Sequence, residues 1–123
     1  MIRQILTWAR DKYAGRPTTA ATGAGRSPHW STVRDKHLKT EPRCAYCGGV
    51  KNLEVHHIAP FHLHPEEELD DANLITLCES PGVNCHLERG HLGNWKRCNP
   101  YIVEDCRAHR RQAVFTVVRG ANV

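Results

Sequence analysis

Long apolar runs are missing from this 123-residue chain, and so is the uninterrupted apolar core of an export signal. The opening "MIRQILTWARDKYAG" carries Arg3, Arg10, Asp11 and Lys12 among its apolar residues. That pattern is not expected of a secretory leader, and no stretch approaches the length of a membrane span. No internal repeat appears, which excludes a stacked array. Aromatic residues are sparse at 7%, and the apolar fraction of 40% is slightly low for a packed domain. Seven Pro and nine Gly suit a loop-rich small fold better than a long bundle.

Since no export signal is visible, the expectation is a cytoplasmic protein whose thiols stay reduced. Six cysteines in such a chain favour metal binding over disulfides. A chain this short buries only about two-thirds of its unfolded surface, so a structural ion would reinforce it usefully. Formal net charge is +4. A modest basic excess is compatible with a nucleic-acid partner without demonstrating one.

Spacing predicts a helix over residues 1–14, with Ile2, Ile5, Leu6, Ala9 and Tyr13 on one face, and a flexible linker over "GRPTTAATGAGRS" (15–27). Ser27 and Pro28 then read as the start of a second helix that Pro42 ends. "NLEVHHI" (52–58) and "NLITLC" (73–78) read as two strands of an antiparallel hairpin joined by a long, acidic, Pro-containing loop. "NCHLERGHLGNW" reads as a short helix, and Asn99-Pro100 starts a last helix over about residues 100–112. The tail, residues 113–123, contains a β-prone run without a clear place. The organisation expected is therefore 1–27 helix and linker, 28–112 the working domain, and 113–123 a tail.

Cys44-x2-Cys47 on a Gly-ended turn holds two thiolates at the separation one tetrahedral zinc requires. Cys78 and Cys85 supply two more, with "ESPGVN" between them. Four thiolates leave no open position, so such a site is structural and the chemistry must lie elsewhere. Cys98 and Cys106 lack close partners and read as buried thiols. His56 and His57 stand side by side in the first strand, and a regular strand sends adjacent side chains to opposite faces. Either they are a metal ligand beside a free base, or they are two structural polar residues. His86 follows Cys85 and could replace it on zinc or serve another ion. His91 lies five residues further on, slightly more than one helical turn. His62, His64 and the acidic run Glu66, Glu67, Glu68, Asp70 and Asp71 read as loop residues, and Trp30 and Trp95 as core.

Taken together, "CAYCGG…LEVHHIAPF…NLITLC…NCH…GHLGNW" resembles the HNH endonucleases in their four-cysteine, zinc-stapled form, over roughly residues 28–100. The resemblance implies an α+β fold: a small ββα-metal unit with flanking helices. It implies a metal-dependent nuclease cutting DNA, with RNA an open alternative substrate. His56 and His86 would be ligands of one catalytic divalent cation (Mg, Mn, Ni or Zn), with His91 an additional ligand. His57 would be the general base, and Asn73 would hold the loop and orient that base. Nucleic-acid contacts would come from basic residues around the site, Arg34, Lys36, Arg89, Lys96 and Arg97 first among them. The rival class is a zinc-stapled nucleic-acid-binding module that does not cleave; a protein-binding zinc adaptor would not need His56, His57, Asn73 and His86 together.

Overall fold

The computed structural model describes residues 26–121, with side chains to residue 113. The expected helix 1–14 and nearly all of the linker lie outside the described residues. The first helix, α1, spans Trp30–Thr40 and buries His37. It starts two residues later than a Ser27 cap with Pro28 at the first position implies. Ser27 instead forms a turn, its Oγ accepting from the His29 N–H and its carbonyl from the Trp30 N–H. The end before Pro42 is as expected, because the residue ahead of proline avoids helical backbone.

Strands β1 (Leu53–His57) and β2 (Leu74–Cys78) form the antiparallel hairpin, with Leu53 opposite Cys78 and His57 opposite Leu74. This register decides the layout of the molecule. One end of the hairpin carries a cysteine of the expected cage and the other carries His57. Five pairs make a hairpin that is marginal alone. Its support comes from α1, which packs on both strands, and from a core of Ile58, Ile75, Leu77, Ile102, Cys78, Cys85 and Cys106.

The segment after the cysteines is one turn of π-helix, His86–Gly90. The last helix, α2, spans Ile102–Ala121. Asn99 starts it: its Oδ1 accepts from the Tyr101 N–H, and its Nδ2 donates to Asp105 and to the Arg89 carbonyl. α2 therefore continues well past residue 112, and the β-prone run up to Ala121 is helical. Propagating an existing helix costs little per residue, and that outweighs a weak local preference for strand. The architecture is α+β, two antiparallel strands with two helices and four clustered cysteines, consistent with a ββα-metal domain. Among the described residues no helix is long and apolar enough to cross a membrane.

Candidate metal and catalytic centre

The Cys44–Cys47 turn is built by its own backbone. The Cys44 N–H donates to the Gly49 carbonyl and the Gly48 N–H to the Cys44 carbonyl, with Gly48 at φ +78°, where a side chain would be strained. The Ala45 N–H donates to the Thr76 carbonyl and fastens the turn to β2. Cys44, Cys47, Cys78 and Cys85 bring their sulfurs within 4.8 Å of one another. The Cys47 and Cys78 sulfurs are 3.6 Å apart, close to the edge of about 3.8 Å that a tetrahedron of 2.3 Å Zn–S bonds implies. Burial raises the Cys85 thiol far above its ordinary value, and the neighbouring sulfurs add to the shift. Burial also opposes ionisation of Cys44, but N–H donors, the Cys47 amide among them, outweigh it and lower that thiol. Four packed sulfurs of this kind fit a soft divalent cation, which would remove the cost of ionising them. Cys98 and Cys106 are buried thiols as expected, both pushed up to about 12 by burial.

One residue beyond Cys85 the chain turns to a second cluster. His56, His86 and His91 also bring ligand nitrogens within 4.8 Å of one another. The five-residue spacing that an α-helix would strain is the natural period of the π turn: the His91 N–H donates to the His86 carbonyl at 3.0 Å, an i+5 bond. His86 and His91 therefore lie one turn apart, their rings edge-on at 4.9 Å from each other and 5.1 and 4.8 Å from His56. Gly90 closes the arrangement. A Cβ there would sit 3.0 Å from Leu77 Cδ1 and 3.2 Å from His56 Cε1.

Nitrogen bookkeeping in the triad is specific. His91 Nδ1 donates to the Arg97 carbonyl at 2.7 Å, which leaves its Nε2 with a lone pair. His86 Nδ1 faces the Glu79 carboxylate at 3.4 Å. His56 Nε2 is buried and has no hydrogen-bond partner. Burial, with the other histidines adding to it, lowers His56 well below its ordinary value, so the ring is neutral and its nitrogen is available. A buried, unpartnered nitrogen on a neutral ring, clustered with two further imidazoles, fits a divalent cation. Cys85 and His86 thus serve different clusters, and the alternative in which His86 replaces Cys85 among the sulfurs is not what the geometry builds.

His57 stays outside the triad. Its Nε2–H donates to the Glu68 carbonyl at 3.0 Å, which fixes the tautomer and leaves Nδ1 unprotonated. Burial lowers its pKa to about 4, with the Arg26 charge adding to the shift and the Glu68 carbonyl opposing it. Trp30 lies against the ring at 4.6 Å. Asn73 is fully buried and holds the loop that supplies Glu68. Its Oδ1 accepts from the Ala59 N–H at 2.7 Å, while Nδ2 donates to the carbonyls of Ala59 and Glu67.

The acidic run is not a uniformly solvated loop. Glu68 is buried, and its carboxylate accepts from Arg26 at 3.3 Å and from the Ser27 N–H at 3.0 Å. Sequence reasoning missed this pair because nothing in spacing joins residues 42 positions apart. Arg26 lies over the Trp30 and Phe61 rings and lines a cavity of about 200 Å³ together with His56, His57, His62, His86 and His91. A larger groove of about 580 Å³, bordered by Glu41, Arg43, Asp71, Arg107 and Arg110, contains none of these histidines, so size does not mark the chemistry here. Among the expected contact residues, Arg34 pairs with Glu54 at 3.1 Å and Arg89 lies over the Tyr46 ring, whereas Lys36, Lys96 and Arg97 are exposed. Trp95 is not core: it is half exposed, edge-on to His86 and tilted against His91.

Residues 44–92, the segment containing both clusters, match the family model of the HNH endonucleases. No curated protein and no solved structure matches the chain significantly.

Proposed function

We propose that the protein is a metal-dependent endonuclease that hydrolyses phosphodiester bonds in DNA, with residues 28–112 as the nuclease unit. The observation that carries the reading is His57, held neutral by burial and fixed in one tautomer by the Glu68 carbonyl, beside three convergent imidazoles in one cavity. His57 Nδ1 takes a proton from the attacking water, a role worth about 10²–10⁴-fold in rate. Asn73 keeps the loop, and with it the Glu68 carbonyl, in register with that ring. His56, His86 and His91 hold the divalent cation, which neutralises the phosphate and the leaving 3′-oxygen when bound. An all-imidazole donor set favours Mn, Ni or Zn over Mg, which prefers oxygen ligands. Arg26 pairs with Glu68 and lines the cavity, where its charge would meet a phosphate. Lys36, Lys96 and Arg97 add backbone contacts that do not depend on sequence, and Arg34 and Arg89 could join them on giving up their present partners. Cys44, Cys47, Cys78 and Cys85 hold a structural zinc, and six unbridged thiols suit a reducing compartment such as the cytoplasm.

The test is supercoiled plasmid with Mn²⁺ and the full chain, beside His57→Ala. Nicking by the wild type that the variant loses is the expected outcome. Plasmid that both proteins shift equally on a gel and neither cuts would favour a binding module instead.

A further inference from the structure

The loop that follows the π turn is rigid and yet presents large apolar side chains to water. Leu92 takes φ +57° and Gly93 φ +80°, and the Gly93 N–H donates to the Leu87 carbonyl at 2.8 Å. Asn94 then anchors the tip: its Oδ1 accepts from the Lys96 N–H, and its carbonyl accepts from the Arg97 N–H. The Arg97 carbonyl in turn holds His91. A backbone bonded at this many points does not bring Trp95 to the surface by slack. Trp95 is 48% exposed and Leu92 44%.

Placement narrows what the indole can meet. Its ring centroid is 5.1 Å from His86 and 5.0 Å from His91, so whatever lies on it also lies beside the imidazole cluster. Lys96 and Arg97, both exposed, follow directly. A lipid surface would use the indole and the two cations but not the imidazole cluster at their edge, and an apolar protein surface would use the indole alone. A nucleotide has both halves of the matching chemistry: a flat face for the indole and a phosphate for the cations and the histidine cluster.

We infer that Trp95 is a stacking platform for an unpaired nucleobase next to the phosphate at the histidine cluster. Bases within an intact duplex have both faces covered, so the substrate class is nucleic acid with a base free to leave its stack, as in single strands and junctions. This deepens the nuclease reading and rests on it for the identity of the phosphate site.

The experiment measures binding with no Mn²⁺ added and no chelator, which would strip the structural zinc, on oligonucleotides shown intact afterwards, so its outcome does not depend on cleavage. A labelled oligothymidylate and a blunt-ended duplex are titrated with wild type, Trp95→Ala and Trp95→Phe at one low salt concentration, after melting curves show all three folded. Trp95→Ala is expected to bind the single strand about tenfold more weakly, as loss of one aromatic–base stack implies. Its affinity for the duplex should be unchanged, and Trp95→Phe should recover most of the loss. Equal affinity of wild type and Trp95→Ala for the strand, equal losses on strand and duplex, or no binding of the strand by wild type would each overturn the inference. Incubating the same strand with wild type and Mn²⁺ reads the nuclease separately: strand that is bound through Trp95 and left uncut counts against the nuclease and not against the stacking.

Discussion

The two clusters sit one residue apart in sequence and differ in almost every physical respect. Cys44, Cys47, Cys78 and Cys85 converge from a turn, the end of β2 and the start of the π turn, and use all four of their sulfurs on one another. His56, His86 and His91 are only three, and they border a cavity. A tetrahedral ion among four sulfurs has no position left for substrate, whereas one among three imidazoles keeps at least one. The chain therefore divides the labour. On the proposed reading, sulfur holds the hairpin base to the segment that follows, and nitrogen borders the cavity where a phosphate would enter. His57 belongs to neither cluster, and a carbonyl from the long loop keeps it so.

If that division is right, breaking the sulfur side should have the largest effect. Cys78→Ser leaves three thiols at the base of a five-pair hairpin. Binding of a structural zinc is itself folding free energy, comparable with the entire stability of a small domain, about 5–15 kcal/mol. The expected result is a chain without a cooperative thermal transition and without retained zinc. A sharp melt close to wild type would show that the cluster is dispensable.

The catalytic side should respond in the opposite way. His57→Ala should lower plasmid nicking by about 10²–10⁴-fold while the protein stays folded and keeps its metal, its melt falling only by the ring packing and the Glu68 hydrogen bond that are lost. A variant that loses activity only by losing its metal would place His57 inside the triad after all.

Acid should separate the regions further. His57 has a folded pKa of about 4 against an ordinary 6.5, so the unfolded chain takes up the proton first as pH falls. Stability should therefore decline from about pH 6.5 down through pH 4, by at most about 3 kcal/mol from this residue. Urea titrations of wild type and His57→Gln at pH 7 and pH 4.5 measure the difference. The variant should lose less between the two pH values, and equal losses would contradict the assignment.

A smaller effect tests the fit between the π turn and β1. The Cβ of Gly90→Ala would meet Leu77 and His56, so crowding should cost about 1–3 kcal/mol of stability. Mn²⁺ affinity, read by calorimetry, should fall with it, because the displaced ring is a ligand. Unchanged melt and affinity would show that the contact is loose.

How much of this could be read from the residues follows the same divide. The sulfur cage was legible, because a C-x2-C turn is local and the strand before Cys78 fixes its height. The hairpin was legible from its two apolar runs. His86 and His91 were legible as ligands of one ion only through the family resemblance, since a five-residue spacing is slightly more than one turn of an α-helix. Only the i+5 bond of a π turn makes them neighbours. Arg26 and Glu68 were not legible at all, because the contact joins the entry to α1 with a loop 42 residues on. An acidic run also gives no sign of which carboxylate turns inward. Trp95 was misjudged as core because composition favours burying indole, and only the hydrogen bonds from Leu92 to Arg97 show that the loop holds it outward. The end of α2 was missed because Val117 and Val118 favour strand locally, while the helix entering from Asn99 continues through them.

The most direct measurement pairs the neighbours at the boundary between the clusters. Zinc content after dialysis, thermal melt and plasmid nicking in Mn²⁺ are compared for Cys85→Ser and His86→Ala. The account expects His86→Ala to keep its zinc and its melt and to lose nicking, while Cys85→Ser loses zinc and folding together. A His86→Ala protein that sheds the zinc, or that nicks plasmid at the wild-type rate, would contradict the separation of the two sites on which the rest depends.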